Sequence, residues 1–350
     1  LKSSSNHFEE SQKERILVIR FSSLGDVLLT APALRALRAH FPDAHIDLLV
    51  AREYADAAAL LPGPNRVLAF DRATGLRGLW KLRSDLARRY TILVDLQNSF
   101  RSAFLRATTW PTVWVKARRY RLRRWLLIRF KWNVYRATPP VPLRYVGALD
   151  VFGVTDDGRG LDLFLPDNVP IPESVATDDE GKGLIALCPG ARHATKRWPP
   201  ERWVAVGGLL RDAGYRISIV GSREERDVIA AVAAGIGDAR TVAGGSIREV
   251  AALFRHSVAV VSNDTGLMHL AAGLGRPVVA IFGPTVREFG FYPFRARSVV
   301  FDHELSCRPC SAMGTESCPK RHFRCMLDTH PIAVFQALRD LLHSNPVSPT

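Results

Sequence analysis

Five cysteines in 350 residues are too few for a disulfide scaffold. No apolar run reaches the roughly 18 residues that a membrane-spanning helix needs. The first fourteen residues, Leu1 to Glu14, lack the apolar centre of a secretory signal and read as a disordered tail on a cytosolic protein. No GxGxxG follows an expected strand and no GxxxxGK[ST] occurs, so nicotinamide enzymes and P-loop ATPases lose support. Internal repeats and low-complexity tracts are also missing. What is present is 47% hydrophobic and 23% charged, enough apolar material for two cores and too much for a disordered chain. Forty-eight Lys and Arg against 34 Asp and Glu leave a net charge of +14. That excess suits an anionic partner: nucleic acid, phospholipid headgroup, nucleotide or acidic glycan.

From Arg15 onward, short apolar runs alternate with helical patterns, which predicts parallel sheets covered by helices. Strands are expected at 16–21, 46–50, 66–70 and 91–95, with helices over 27–40 and 76–89. A stretch rich in Asp, Pro and Gly follows, and a second series places strands at 184–188, 216–220, 239–242, 258–262 and 277–282. Helices over 200–213, 223–235, 246–255 and 265–274 separate them. The expected architecture is α/β, with two doubly wound, Rossmann-like domains facing each other across a cleft. The divisions are a tail (1–14), an N-terminal domain (15–160), a linker (161–182), a C-terminal domain (183–330) and a last helix with a tail (331–350).

Loops at the carboxyl ends of such strands carry the chemistry. The expected strand at 258–262 runs into Asn263-Asp264-Thr265-Gly266-Leu267-Met268-His269, where Thr265 and Gly266 open a helix and present free N–H groups to an anion. Asp264 is either a plain N-cap or a ligand of a sugar hydroxyl, and His269 either a packed helix residue or part of the site. The loop Pro189 to Pro199 sets cations beside a glycine turn, where Lys196 is either solvated or aimed at a diphosphate. In the first domain Ser22-Ser23-Leu24-Gly25-Asp26 ends the opening strand. Asp26 either caps the next helix or, facing the cleft, takes a proton from an attacking hydroxyl.

Four segments in order give the chain a specific resemblance. They are Arg20-Phe21-Ser22-Ser23-Leu24-Gly25-Asp26 with Pro32-Ala33-Leu34, Lys196-Arg197-Trp198-Pro199, Asn263 to Ala272, and Phe282-Gly283-Pro284-Thr285. From about Ile16 to Leu342 the chain resembles glycosyltransferase family 9, the ADP-heptose:lipopolysaccharide heptosyltransferases. The resemblance implies a GT-B enzyme that inverts the anomeric carbon, needs no metal for catalysis and binds its donor mainly on the C-terminal domain. It implies Asp26 as general base, Lys196 as the charge that neutralises the leaving diphosphate, and Thr265 with Gly266 as phosphate-binding amides. Asp264 and His269 would contact donor sugar or diphosphate. The acidic residue that such enzymes often place on the ribose falls at Glu224 or Glu225, shifted by the intervening Arg223. The loop before Lys196 departs from that of enzymes adding the first heptose, with Arg192, His193 and Ala194 in place of hydroxyl and acidic residues.

Between Lys116 and Arg136 stand nine cations and no acid, interleaved with Tyr120, Trp125, Phe130, Trp132 and Tyr135. This is either a solvated face or, with Arg121, Arg123 and Arg124 at its heart, a surface for anionic lipid or an anionic acceptor. Such a mix can also stack on bases, but no nucleic-acid motif accompanies it, so no nucleic-acid partner is expected. The partners implied are ADP-heptose, a lipid A-core glycolipid and an anionic membrane surface, with the enzyme peripheral on the cytoplasmic face of the inner membrane. Finally, Cys307, Cys310, Cys318 and Cys325 have a metal-like first pair. Four thiolates can close a structural Zn²⁺ or iron site, and reduced thiols in a capping loop are the alternative. Either way the cluster is expected to lie away from the motifs above.

Overall fold

A computed structural model describes residues 14–170 and 182–344. Most of the expected tail at 1–14 and the stretch 171–181 of the expected linker lie outside the described residues. The first sheet contains β1 (Arg15–Ile19), β2 (His45–Ala51), β3 (Arg66–Phe70), β4 (Ile92–Asp95) and β5 (Val113–Lys116). All pairings are parallel, in the order β3-β2-β1-β4-β5. The second sheet contains β6 (Leu184–Cys188), β7 (Arg216–Gly221), β8 (Ala239–Ala243), β9 (Ser257–Asn263), β10 (Val278–Phe282) and β11 (Ser298–Asp302). It is again all parallel, in the order β11-β10-β9-β6-β7-β8.

Buried on both faces, the strands read as continuous apolar runs, and alternate residues serve different cores. In β1, Ile16 and Val18 point to the core under the helices Ala31–His40 and Val141–Val146. Leu17 and Ile19 point to the core under the helices Gly75–Leu86 and Phe100–Thr108. In β6, Ala186 faces the helices Ile247–His256 and Gly266–Gly273, while Ile185 and Leu187 face Pro200–Asp212 and Pro331–His343. The last helix buries Val334 and Leu338 in that C-terminal core.

Three expectations need correction. The helix expected over 27–40 is two helices, Leu24–Leu28 and Ala31–His40. Pro32 has no N–H to continue the first helix and its ring opposes the carbonyl four residues back, so the chain restarts there. The strands β5 and β11 were not anticipated. Each is a four- or five-residue sheet edge set close to arginines, which hides it in the sequence. The expected linker is pinned at its start: Leu163 N–H donates to Gly273 O (2.7 Å) and Phe164 N–H to Leu60 O (2.8 Å), while Leu161 joins the first core and Leu165 the second.

In each sheet the strand order reverses beside the first strand of the domain, at β1/β4 and at β6/β9. Ligands of open parallel sheets bind at such switch points, outside the carboxyl ends of the strands. The loops after β1, β6 and β9 are those singled out from the sequence. The two domains touch there. A Cβ on Gly25 would come within 2.8 Å of His269 Cδ2, and one on Gly266 within 2.7 Å of the Leu24 side chain. Glycine at both positions lets the opening loop of one domain seat on the helix Gly266–Gly273 of the other.

Candidate active site

Asp26 is the third residue of the helix Leu24–Leu28, where its carboxylate closes a capping box and also lines the cleft. Its Oδ2 accepts from Ser23 N–H (3.2 Å) and from Ser23 Oγ (2.9 Å), as a capping box does. Its Oδ1 pairs with Arg20 Nη2 at 2.6 Å and receives a long hydrogen bond of 3.4 Å from the Tyr145 hydroxyl. The side chain keeps 19% of its surface open, toward the cleft. Burial alone would raise its pKa, but Arg20 and the two Ser23 bonds outweigh it and hold the carboxyl below its ordinary value.

Across the cleft, Asp264 is not the cap of the helix Gly266–Gly273. Thr265 occupies that position in extended conformation, and the first-turn N–H groups of Gly266–Gly273 have no intrahelical acceptor. The Asp264 carboxylate instead takes Lys196 Nζ at 2.6 Å and the Thr285 hydroxyl at 2.6 Å. The fourth sequence segment therefore has a structural task, since Thr285 holds Asp264. Lys196 is aimed by a chain of buried anchors. Asn263 Oδ1 accepts from Trp198 N–H (3.2 Å), Asn263 Nδ2 donates to Pro189 O (2.8 Å), and the Trp198 indole donates to Thr329 O (3.2 Å). His269 is 3% exposed, and its buried Nδ1 has no hydrogen-bond partner among the described residues. Burial lowers its pKa to about 4 against the opposing pull of Asp264 and Asp26, so the ring is neutral at neutral pH.

Three cavities run in series past these groups. The first, about 230 Å³, lies between Gly190, Val220, Glu225, Gly245 and Val250. It shares Leu24, Arg192, Thr265 and Gly266 with the second, about 320 Å³, which holds Asp26, Lys196, Asp264 and His269. The second shares Asp26, Phe291, Ala312 and Met313 with the third, about 300 Å³. Arg20, Arg118, Arg119, Arg121, Arg124 and Arg144 all line the third. Burial and the neighbouring Arg20 and Arg121 lower the pKa of Arg119, as crowding of like charges does.

Of the expected residues, Asp26, Lys196, Asp264, Thr265, Gly266 and His269 meet in the central cavity. Glu225 lines the first cavity and Glu224 is exposed outside it. Gly190 gives Glu225 room, since a Cβ there would overlap its carboxylate. Arg121 and Arg124 line the third cavity, whereas Arg123 donates to Thr138 Oγ1 (2.9 Å) and stacks on Tyr120. Sequence reasoning gave no role to Arg20, Arg144, Tyr145 or Met313. Arg20, a cation ending a buried strand, was the visible signal, while Arg144 and Tyr145 sit in a short helix with no motif around them.

Among the described residues, no group of three or more His, Cys, Asp or Glu side chains is placed to hold a metal ion. Cys307 Sγ lies 3.7 Å from His322 Nε2, Cys310 Sγ donates to Cys307 O, and burial pushes the Cys325 thiol up to about 12. As placed, the four thiols do not form a ligand set for Zn²⁺ or iron. Nor does their loop lie away from the site: it delivers Ala312 and Met313 to the central and third cavities.

A family model described as glycosyltransferase family 9 (heptosyltransferase) matches residues 79–320. Lipopolysaccharide heptosyltransferase 1 of Pseudomonas aeruginosa is 30% identical over 319 residues, covering 85% of this chain and 86% of that protein. Among solved structures, a glycosyl transferase of family 9 from Veillonella parvula superposes with a TM-score of 0.77 at 21% identity, covering 94% of this chain and 97% of that one. The Escherichia coli ADP-heptose lps heptosyltransferase II superposes with a TM-score of 0.71 at 23% identity, covering 94% and 98%. With the two facing parallel-sheet domains, the switch-point loops and the family match over most of its length, this chain belongs to glycosyltransferase family 9 and is a glycosyltransferase of GT-B fold.

Proposed function

We propose that the enzyme moves heptose from ADP-heptose to the inner core of lipopolysaccharide with inversion at the anomeric carbon. The observation that carries this reading is the serial arrangement of the cavities, with Asp26 at the junction of a polar donor chamber and an arginine-lined acceptor chamber. The nucleoside enters the first cavity, where Glu225 accepts from the ribose hydroxyls. The diphosphate lies against the N–H groups opened by Thr265 and Gly266, with Lys196 moving from Asp264 toward the charge that grows as ADP leaves. Asp264 and the neutral His269 contact the sugar or its phosphate. Asp26 takes the proton of the acceptor hydroxyl as its oxygen bonds to the anomeric carbon and the bond from that carbon to the diphosphate breaks. Lys196 and the helix N-terminus supply the positive field, so no metal has a part in this mechanism.

The acceptor is anionic and membrane-embedded in this reading, and the surface around its chamber suits it. The helix Arg121–Phe130 and the residues after it expose Leu122, Trp125, Phe130 and Trp132 between cations. Elsewhere the N-terminal domain exposes Trp80, Phe100, Trp110 and Trp114, with Arg83, Arg88 and Arg106 stacked on the indoles. Arg and Trp mixed in this way favour an anionic lipid interface, and no described helix is long and apolar enough to cross a membrane. Peripheral attachment to the cytoplasmic face of the inner membrane follows from this reading. Family membership favours it over a nucleic-acid-binding protein built on a degenerate nucleotide fold. Calorimetry with ADP, UDP, GDP and a short oligonucleotide separates the readings. ADP binding tightest, with no oligonucleotide binding, is expected; the reverse pattern overturns the proposal.

A further inference from the structure

The cysteine-bearing segment between β11 and the last helices crosses the front of the site as a strap. Its near end is fixed to the C-terminal domain: Arg308, buried, donates to Gly283 O (2.5 Å) and pairs with Asp302, and Cys310 N–H donates to Pro284 O (3.0 Å). Lys131 of the basic segment donates to Pro309 O (2.6 Å), so the strap also touches the N-terminal domain. Its far end is tied to the loop that carries Lys196. Thr195 N–H donates to Thr315 O (3.1 Å), Thr195 Oγ donates to the same carbonyl (2.9 Å), and Thr315 N–H returns a bond to Thr195 Oγ (2.8 Å). Gly314 has φ +117°, and a Cβ there would meet His193 Cβ at 2.6 Å, so the backbone must pass that loop bare.

Between these two anchorages the strap turns over the cleft, and Ala312 with Met313 forms wall shared by the central and third cavities, next to Asp26 and Phe291. Met313 is 63% exposed, an unbranched apolar side chain standing beside Phe291 between cavities that also carry Asp26, Lys196 and six arginines. Thioether side chains adapt readily to what they meet.

We propose that Met313, held by the strap, is the partition between donor and acceptor chambers, and that it makes the enzyme transfer the sugar rather than hydrolyse the donor. This rests on the reading of Asp26 as the base. With acceptor bound, Met313 packs over the sugar so that the oxygen aligned with the anomeric carbon is the acceptor's. With the partition removed, a water enters the same line, gives its proton to Asp26 and bonds to the anomeric carbon while ADP leaves, and free heptose is the product. A closed, dry chamber is the usual means of suppressing that side reaction. Met313 carries no group that transfers a proton, so it is a positioning residue.

The test compares wild-type enzyme with Met313→Ala and Met313→Leu, using ADP-heptose with and without acceptor glycolipid, and counts ADP, free heptose and extended acceptor separately. Met313→Ala should raise the ratio of free heptose to transferred heptose by about tenfold, while calorimetric ADP affinity stays as in wild type and Met313→Leu restores most of the transfer. An unchanged product ratio in Met313→Ala, with wild-type transfer intact, overturns the proposal alone. Wild-type enzyme that neither transfers nor hydrolyses ADP-heptose instead overturns the reading beneath it. A second variant, Thr195→Val, loosens the far anchorage without touching Met313 and should shift the ratio in the same direction. If it leaves the ratio unchanged, the strap is not what holds the partition.

Discussion

Asp26 shows why a residue that caps a helix can also be poised for chemistry. One oxygen is committed to Ser23, and the other faces Arg20 and Tyr145 at the mouth of the arginine-lined third cavity. Asp26→Asn keeps the cap and the shape but has no proton-accepting carboxylate, so ADP affinity should persist while turnover falls by at least ~10²-fold. Turnover at the wild-type level would remove Asp26 from the mechanism. Because Arg20 holds this carboxyl below its ordinary value, the acid limb of kcat/KM should lie below pH ~4. A limb near neutrality would assign it to another group. Lys196→Ala should weaken donor binding and slow the chemical step, the latter by about 10²-fold, since its charge matters more as the leaving group forms. An effect confined to acceptor affinity contradicts this placement. His269 adds a signature in stability. Its folded pKa, about 4, lies below the unfolded value near 6.5, so the unfolded chain takes a proton first as pH falls. Stability is then lost between pH ~6.5 and ~4 and does not change through this group above or below that window. Urea melts at pH 7 and pH 5 should show a drop that His269→Gln reduces by up to roughly 2 kcal/mol. Equal drops in both proteins exclude the histidine as the cause. Asp264 could not be placed from sequence because an Asp before a helix is ordinarily its cap, and only the fold brings Lys196 and Thr285, 68 and 21 residues away, onto its carboxylate.

At the scale of elements, burial explains only part of the legibility, since the edge strands β3 and β8 were expected while the edges β5 and β11 were not. Strands β1, β6, β9 and β10 lie inside their sheets, carry uninterrupted apolar runs and could be read directly. Edge strands β5 and β11 have partly open faces and arginines close by, so their pattern resembles a loop. The strap escaped notice for a different reason. Its anchors are backbone bonds, single side-chain bonds from Arg308, Lys131 and Thr195, and one bare glycine, which leave no periodicity, and its cysteines pointed to a metal rather than to Met313. The helix Arg121–Phe130 was legible by composition, yet only the structure separates its duties. Arg124 and Leu127 turn inward, while Leu122 and Trp125 face outward. Changing Arg121, Arg123 and Arg124 together to Gln removes two exposed cations, Arg121 and Arg123, worth about 1 kcal/mol each near an anionic surface, and takes the inward Arg124 from the third cavity. Vesicle binding should weaken by about 30-fold and the Michaelis constant for acceptor should rise, with ADP binding unaffected. Equal loss of ADP binding would show that the helix supports the fold instead, and survival of both vesicle binding and acceptor kinetics would make it a solvated face.

For the whole molecule, the two-domain plan was legible because each domain repeats the same alternation of apolar run, turn and amphipathic helix. What the alternation does not encode is how the domains face each other. That is set by Gly25 against His269 and Gly266 against Leu24, contacts in which small size rather than chemistry is the specification. Their meeting brings the three cavities into series and puts Asp26 of one domain across the central cavity from Lys196 of the other. Six arginines line the third cavity, and Arg83, Arg88 and Arg106 stack on indoles of the N-terminal domain. The most direct test of Asp26-dependent transfer from ADP-heptose is mass spectrometry of an inner-core glycolipid incubated with ADP-heptose and either wild-type enzyme or Asp26→Asn. The expected result is a mass increase of one heptose residue with wild-type enzyme and almost none with the variant, although the variant still binds ADP. No heptose addition by wild-type enzyme, or addition at the same rate by Asp26→Asn, would contradict it.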